Sequence, residues 1–350
     1  MKGQSRIVSL LGQRWAIVFF FIELVFFSVA AQGFFTLNGL QIVLFYSTTL
    51  ALLATAETFV IVTGGIDLSV GFVMGFASVV SARLAGAFDT AGLEPAVSLS
   101  LAIVITLAIG LLPGFVNGFL VARLRVPSFL ATFAVQGITY GVSLLITGGS
   151  AAVNVPGLAN QIGNGYILHW VEGRGLQLFG TTAVTRGTIA IDLVPTMVVV
   201  TLIFVAIAAF LLKRTRFGRH VYAIGGNIDA ASRAGINTSR RLFGVYMISS
   251  FLATLSGIIY MMEYVTGKSD AGSSFMMDSV VAVVIGGASL MGGTGTVWRT
   301  MLGVLILSVL EMGLKIMGVQ TFDKYIAVGV ILIFAVLIDQ FFPELVQKED

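Results

Sequence analysis

Apolar runs without a formal charge recur along this 350-residue chain, and they limit its fold more than any other feature. Residues 24–56, 95–122, 193–212, 242–262 and 279–298 contain no Asp, Glu, Lys or Arg, and 126–171 contains only His169 as a titrating base. A helix needs about 20 apolar residues to cross the hydrocarbon of a bilayer. Turn chemistry divides the longer runs, and the pattern predicts ten spans near 15–36, 40–63, 66–88, 96–121, 127–147, 193–212, 242–262, 279–293, 297–318 and 325–342. A transmembrane β-barrel would instead show alternating segments of ~10 residues. The expected fold class is an all-α polytopic membrane protein.

Composition excludes the soluble alternatives. Charged residues make up 11% of the chain and apolar ones 57%, whereas a soluble domain carries ~25% charge. A soluble enzyme, a nucleic-acid-binding module and a disordered chain are all set aside. There is no cysteine and there are two histidines, which leaves little for disulfide, metal or triad chemistry. The basic excess has a topological explanation. With a cytoplasmic N-terminus, 14 of the 20 Lys and Arg residues fall in segments facing the cytoplasm, as the positive-inside rule requires. The expected layout is a cytoplasmic tail at 1–14, a transmembrane region at 15–342 and a cytoplasmic tail at 343–350. An external loop at 148–192 and a basic cytoplasmic loop at 213–241 interrupt the spans. Ser28-Val29-Ala30 resembles a signal cleavage site, but removing that span would leave nine spans and spoil the charge pattern.

Glycines cluster at span ends. Thr63-Gly64-Gly65-Ile66-Asp67-Leu68-Ser69-Val70-Gly71 joins the second and third spans, and Gly286 to Gly295 joins the eighth and ninth. Gly114-Phe115-Val116-Asn117-Gly118 lies inside the fourth. Small residues let helices approach closely. Glycine pairs also permit broken helices, whose freed backbone must be buried or line a cavity. Asp67 is expected to cap the next helix or to serve the transport pathway. Acids inside spans cost ~2.5–3.5 kcal/mol each on insertion scales, so Glu23, Glu57, Glu311 and Asp339 need partners or a function. Glu57 and Glu311 lie deepest. With Gly64, Gly65, Asp67 and Asn117 they form the candidate pathway set. No phosphate-binding loop is present: Gly267-Lys268-Ser269 has the end of the pattern, but Met262 stands where its first glycine belongs. No catalytic motif, cofactor site or metal site is read. The two Gly-Gly turns are too short a similarity to establish an internal repeat.

The loop 213–241 contains Asp229-Ala230-Ala231-Ser232-Arg233-Ala234-Gly235-Ile236, a short helix stopped by glycine. This pattern resembles the loop by which permeases of ATP-binding-cassette (ABC) importers dock on their ATPase. Arg216-Phe217-Gly218-Arg219, Ala223-Ile224-Gly225-Gly226-Asn227, Gly235-Ile236-Asn237, Gly64 to Gly71 and Val280 to Gly295 resemble the ribose/xylose/galactose-type permeases of bacterial ABC importers. The resemblance runs over roughly 38–340 and is weakest at the extreme N-terminus and in 148–192. It implies a type II importer permease in a bacterial inner membrane, pairing with a second copy or a paralogue. A separate ATPase and a periplasmic sugar-binding protein would be its partners. Asp229, Ala230, Ala231, Arg233 and Gly235 would form the ATPase-coupling loop, and the permease itself would hydrolyse nothing. The alternative from another class is an ion- or proton-coupled secondary transporter using Glu57 or Glu311.

Overall fold

The computed structural model describes residues 2–178 and 190–320 and scattered positions up to 333, with side chains described from residue 16 onward. Twelve helices and three strands lie within these residues. Helix α1 (Lys2–Ala30) leads to α2 (Leu37–Val62), α3 (Val70–Thr90), α4 (Pro95–Ala122) and α5 (Ser128–Thr147). A short α6 (Gly157–Gly163) precedes strands β1 (Tyr166–Val171), β2 (Gly175–Leu178) and β3 (Ala190–Pro195). Then follow α7 (Thr196–Arg214), α8 (Arg216–Gly226), α9 (Ile228–Arg233), α10 (Thr238–Tyr264), α11 (Ser273–Ile285) and α12 (Val297–Ile316).

Among the described residues seven helices are long and apolar enough to span a membrane: α2, α3, α4, α5, α7, α10 and α12. The expected ten spans are therefore not confirmed. Ala16–Ala30 of α1 and Ser273–Ile285 of α11 are shorter apolar helices. Most of the expected span at 325–342, with Asp339 and the tail 343–350, lies outside the described residues. Helices α2, α3 and α10 form the centre, with two-thirds or more of each apolar stretch buried in the protein. Only about a third of α4, α5 and α7 is buried, and Leu112, Phe115, Leu145 and Phe210 project outward. Apolar surface on this scale fits a lipid-facing rim.

The all-α expectation needs a correction. Strands β1, β2 and β3, which begin within the expected loop 148–192, form an antiparallel sheet of order β2-β1-β3, with Leu168 opposite Leu178 and Trp170 opposite Ile191. Aromatic and β-branched residues fit a pleated surface, and Tyr166-Ile167-Leu168-His169-Trp170-Val171 is such a segment. Two span boundaries are also corrected. The third span starts at Val70 rather than 66, and the eighth runs from Ser273 to Ile285 rather than 279–293. In both places the glycine-rich connection is non-helical. The basic loop holds two helices, α8 and α9, where one was expected.

Helix α4 shows how the bundle tolerates a proline inside a continuous helix. Pro113 lies in its interior, where it removes a backbone donor and crowds the preceding turn. The amide of Gly114 donates to Ser250 Oγ at 3.0 Å, and Ser250 Oγ donates to the Gly110 carbonyl at 2.6 Å. A hydroxyl from α10 thus replaces the interrupted intrahelical bond, a standard remedy inside membranes. Close approach elsewhere depends on missing side chains: a Cβ on Gly257 of α10 would overlap the Met74 carbonyl of α3.

A valine at Gly257 must therefore separate α3 from α10. We expect Gly257→Val to cost upwards of ~2 kcal/mol, read as a lowered melting temperature of the purified protein in detergent. Gly141→Val, on the outer surface of α5 with nothing within 4 Å of the added Cβ, should melt like the wild type.

Candidate functional site

The connection between α2 and α3 is drawn into the bundle, with Gly65, Asp67 and Ser69 buried, Thr63, Ile66 and Leu68 half-buried and Gly64 exposed. Helix α2 ends as the amides of Thr63 and Gly65 both turn to the Val60 carbonyl, and Gly64 takes a φ of +80°. The next four amides donate to side-chain oxygens. Ile66 N–H reaches Ser128 Oγ at 3.3 Å, and Asp67 N–H reaches Glu57 Oε1 at 3.1 Å. Leu68 N–H reaches Thr132 Oγ1 at 3.1 Å, and Ser69 N–H reaches Asp67 Oδ1 at 3.0 Å. The Asp67 carboxylate also accepts from the hydroxyls of Ser69 (2.5 Å) and Ser249 (2.7 Å). Asn117 Nδ2 donates to Ser69 Oγ at 2.9 Å. Glu57, Asp67, Ser69, Asn117 and Ser249 are all buried.

Three of the candidate residues, Glu57, Asp67 and Asn117, thus share one knot at the end of the bundle that carries α8 and α9. Asp67 does not cap α3 as expected. That helix starts after Ser69 without a side-chain cap, and the Asp67 carboxylate closes the turn one residue earlier while tying it to α10. Glu57 Oε2 and Asn117 Oδ1 have no hydrogen-bond partner among the described residues. Glu311 is not part of the knot. Thr58 of α2 meets Thr300 of α12 at 2.8 Å, and Glu311 lies 11 residues further along α12, about 16 Å at 1.5 Å per residue. Ser69, Ser128, Thr132 and Ser249 are missing from the sequence-derived set, because a serine or threonine inside a span gives no local sign of its partner.

The two glycine turns meet beside this knot. Gly293 N–H donates to the Val62 carbonyl at 2.9 Å. Helix α8 rests on both turns: a Cβ on Gly225 would overlap the Val62 carbonyl and stand 2.5 Å from the Gly293 nitrogen. Tyr222 of α8 donates to the Gly295 carbonyl at 2.6 Å. Burial pushes its phenol further above the ordinary range. Helix α9 follows at once. Its N-terminal cap is Asn227, which accepts from Ala230 N–H at 2.9 Å, with Asp229 in the first turn and Arg233 in the last. Gly235 stands just beyond with a φ of +84°, a left-handed conformation that favours glycine. Ala231 is buried, while Asp229, Ala230, Arg233 and Gly235 are exposed. A cavity of about 400 Å³ separates α9 from the turn, with Asp229 and Ser232 on one side and Gly64, Gly65 and Tyr246 on the other.

Removing the Asp67 carboxylate would orphan three buried donors. We expect Asp67→Ala to cost ~3 kcal/mol, and Asp67→Asn, which keeps one acceptor oxygen, to cost less. Melting of the purified protein should fall in the order wild type, Asn, Ala.

The family model described as branched-chain amino acid transport system / permease component matches residues 39–338. The ribose import permease protein of Escherichia coli (strain K12) is 34% identical over 313 residues, 89% of this chain and 88% of that protein. The xylose transport system permease protein of Haemophilus influenzae is 33% identical, covering 91% of this chain and 93% of its own. The fructose import permease protein of Rhizobium meliloti is 33% identical, covering 91% and 82%. No solved structure matches the chain. Together with the seven apolar helices, these relatives mark a multi-pass inner-membrane protein. With the model matched over 39–338 and relatives aligned across most of its length, the chain belongs to the branched-chain amino acid transport system / permease component family.

Proposed function

We propose that this chain is the transmembrane permease subunit of an ABC importer and passes a monosaccharide or related small polar solute inward by ATP-driven alternating access. The observation that carries this reading is the alignment with ribose, xylose and fructose permeases over most of both chains. The protein is a transport component, not an enzyme. A separate ATPase supplies hydrolysis, a periplasmic binding protein delivers the sugar, and a second permease copy or paralogue completes the pathway. In this reading both termini are cytoplasmic and the fold is of the type II importer kind with ten spans. The α1 and α11 helices and the stretch 325–342 would add to the seven long helices.

Coupling is assigned to α8 and α9. A six-residue helix with small Ala230 and Ala231 can seat closely in a groove on an ATPase, and Arg233 can meet an acidic group there. A push on α9 passes through α8 to Gly225 and Tyr222, and from there to the turns that end α2 and α11. The decisive experiment is sugar uptake into vesicles with and without the ATPase and the binding protein. ATP-independent uptake would refute the importer reading.

Three outcomes are expected. Gly225→Val inserts normally but loses most sugar uptake while ATP hydrolysis continues, whereas Gly226→Ala, with open space around its Cβ, transports normally. Gly235→Val, forced from its left-handed turn, loses uptake and weakens co-purification of the ATPase, whereas Lys213→Ala is mild. Reporter fusions after Arg241 and after Gly149 report cytoplasm and periplasm respectively; the same compartment for both would refute the ten-span layout.

A further inference from the structure

Between α10 and α11 the chain runs without helix through residues 265–272, and this stretch lies along α3. It opens on Val265 at a φ of +53°, a strained conformation for a β-branched residue. Gly267 exchanges two 2.8 Å backbone bonds with Ala152. Lys268 N–H donates to Ser78 Oγ at 3.1 Å, and the same hydroxyl donates to the Lys268 carbonyl at 3.1 Å. A Cβ on Gly75 would overlap the Ser269 carbonyl, and one on Gly71 the Gly272 carbonyl. Ser78 to Gly71 is two turns of α3, so the segment follows a span for about 10 Å. Irregular backbone beside a span is tolerated where it is buried in protein or lines a water-filled cavity. Here Gly267, Ser269 and Gly272 are buried against the protein, while Lys268 and Asp270 are exposed beside a cavity.

The cavity beside it holds about 190 Å³ and is lined by Tyr140 of α5, Ser150 of the following loop, and Lys268, Ser269 and Asp270. The Lys268 ammonium and the Asp270 carboxylate stand 3.9 Å apart and are about half exposed. Ser269 is 7% exposed, and its hydroxyl, closed off from solvent behind the cavity wall, has no hydrogen-bond partner among the described residues. The Tyr140 ring meets Phe72 edge to face at 5.3 Å, which fixes its plane. Lys268 offers donors and Asp270 acceptors, and the Ser269 hydroxyl would add one of each once a guest turned it outward. The two charges cancel, which favours an uncharged guest. A sugar ring presents hydroxyls that both donate and accept, with an apolar C–H face suited to an aromatic ring. Pockets for drug-sized ligands begin near ~300 Å³, so this smaller space suits a single ring.

We propose that this cavity is a binding station for one monosaccharide ring on the permease itself, held by Lys268, Ser269 and Asp270 against Tyr140. The proposal rests on the sugar-importer reading. Because the chain has no cysteine, Ser150→Cys provides a single reporter inside the cavity. Its labelling by a membrane-impermeant maleimide is measured on the permease–ATPase complex in nanodiscs. D-ribose, D-xylose and D-fructose are the probes, each against its L enantiomer, and Leu176→Cys on exposed β2 is the control. One D-sugar should slow labelling several-fold at Ser150→Cys and not at Leu176→Cys, and added Ser269→Ala or Asp270→Asn should abolish that protection. Equal rates for D and L forms of all three sugars overturn the station. In proteoliposomes, Asp270→Asn should lower uptake of the protecting sugar about tenfold and leave ATP hydrolysis stimulated by the loaded binding protein unchanged. Loss of that stimulation would make the segment a docking face for the binding protein and overturn the station. Stereoselective protection combined with ATP-independent uptake would refute the importer reading and leave the station standing.

Discussion

Four successive peptide amides, Ile66 to Ser69, donate to side-chain oxygens instead of to helix carbonyls or water. The rest of the bundle is arranged around that substitution. A buried amide without a partner costs several kcal/mol in an apolar medium, so the turn can exist only where its acceptors are delivered to it. Glu57 comes from α2, Ser128 and Thr132 from α5, and Asp67 from the turn itself. Asn117 of α4 and Ser249 of α10 hold the Ser69 and Asp67 side chains in place. Once these are positioned, Gly64 lies against the Met291 carbonyl, and the two glycine turns become one contact surface for α8.

The same principle recurs where Pro113 interrupts the hydrogen bonding of the continuous helix α4 and where residues 265–272 lie along α3. In each case a hydroxyl from a neighbouring helix, Ser250 or Ser78, accepts from a backbone amide at the irregular point. Many buried hydroxyls, such as Ser81, Ser143 and Ser308, only bond back to carbonyls of their own helix; a smaller set substitutes for missing peptide partners, while close glycine contacts such as Gly257 on Met74 set the distances between helices. Irregularity is concentrated at the α8–α9 end and along 265–272, where helices must shift if a pathway is to open and close.

Much of the scaffold was legible in the chain. Runs expected at 40–63, 96–121, 127–147 and 193–212 became α2, α4, α5 and α7 with ends displaced by a few residues, because lipid demands long apolar helices whatever their neighbours. The helix around Asp229, stopped before Gly235, was legible for the same local reason. The α3 and α11 boundaries were not, since hydropathy is blind to a non-helical apolar turn that other helices satisfy. The sheet at 166–195 was hidden in a polar segment that the span argument did not address. Within the candidate site, Glu57, Asp67 and Asn117 stood out as costly polar groups, yet nothing local showed that Ser69 joins them, that Ser249 completes them, or that Glu311 lies apart. Those contacts join residues up to 182 positions distant, which no local pattern encodes.

The buried turn also has a consequence for biosynthesis. Ribosomes deliver α2 and α3 to the membrane long before the partners of their connection exist. Ser128 and Thr132 follow about 60 residues later, and Ser249 only after a further hundred or more. Until α10 emerges, the nascent α2–α3 hairpin carries the Asp67 carboxylate without one of its two hydroxyl donors. Domains fold broadly in the order they are synthesised and incomplete intermediates expose unsatisfied groups, so a chain that ends before residue 249 lacks one of the contacts that close this turn.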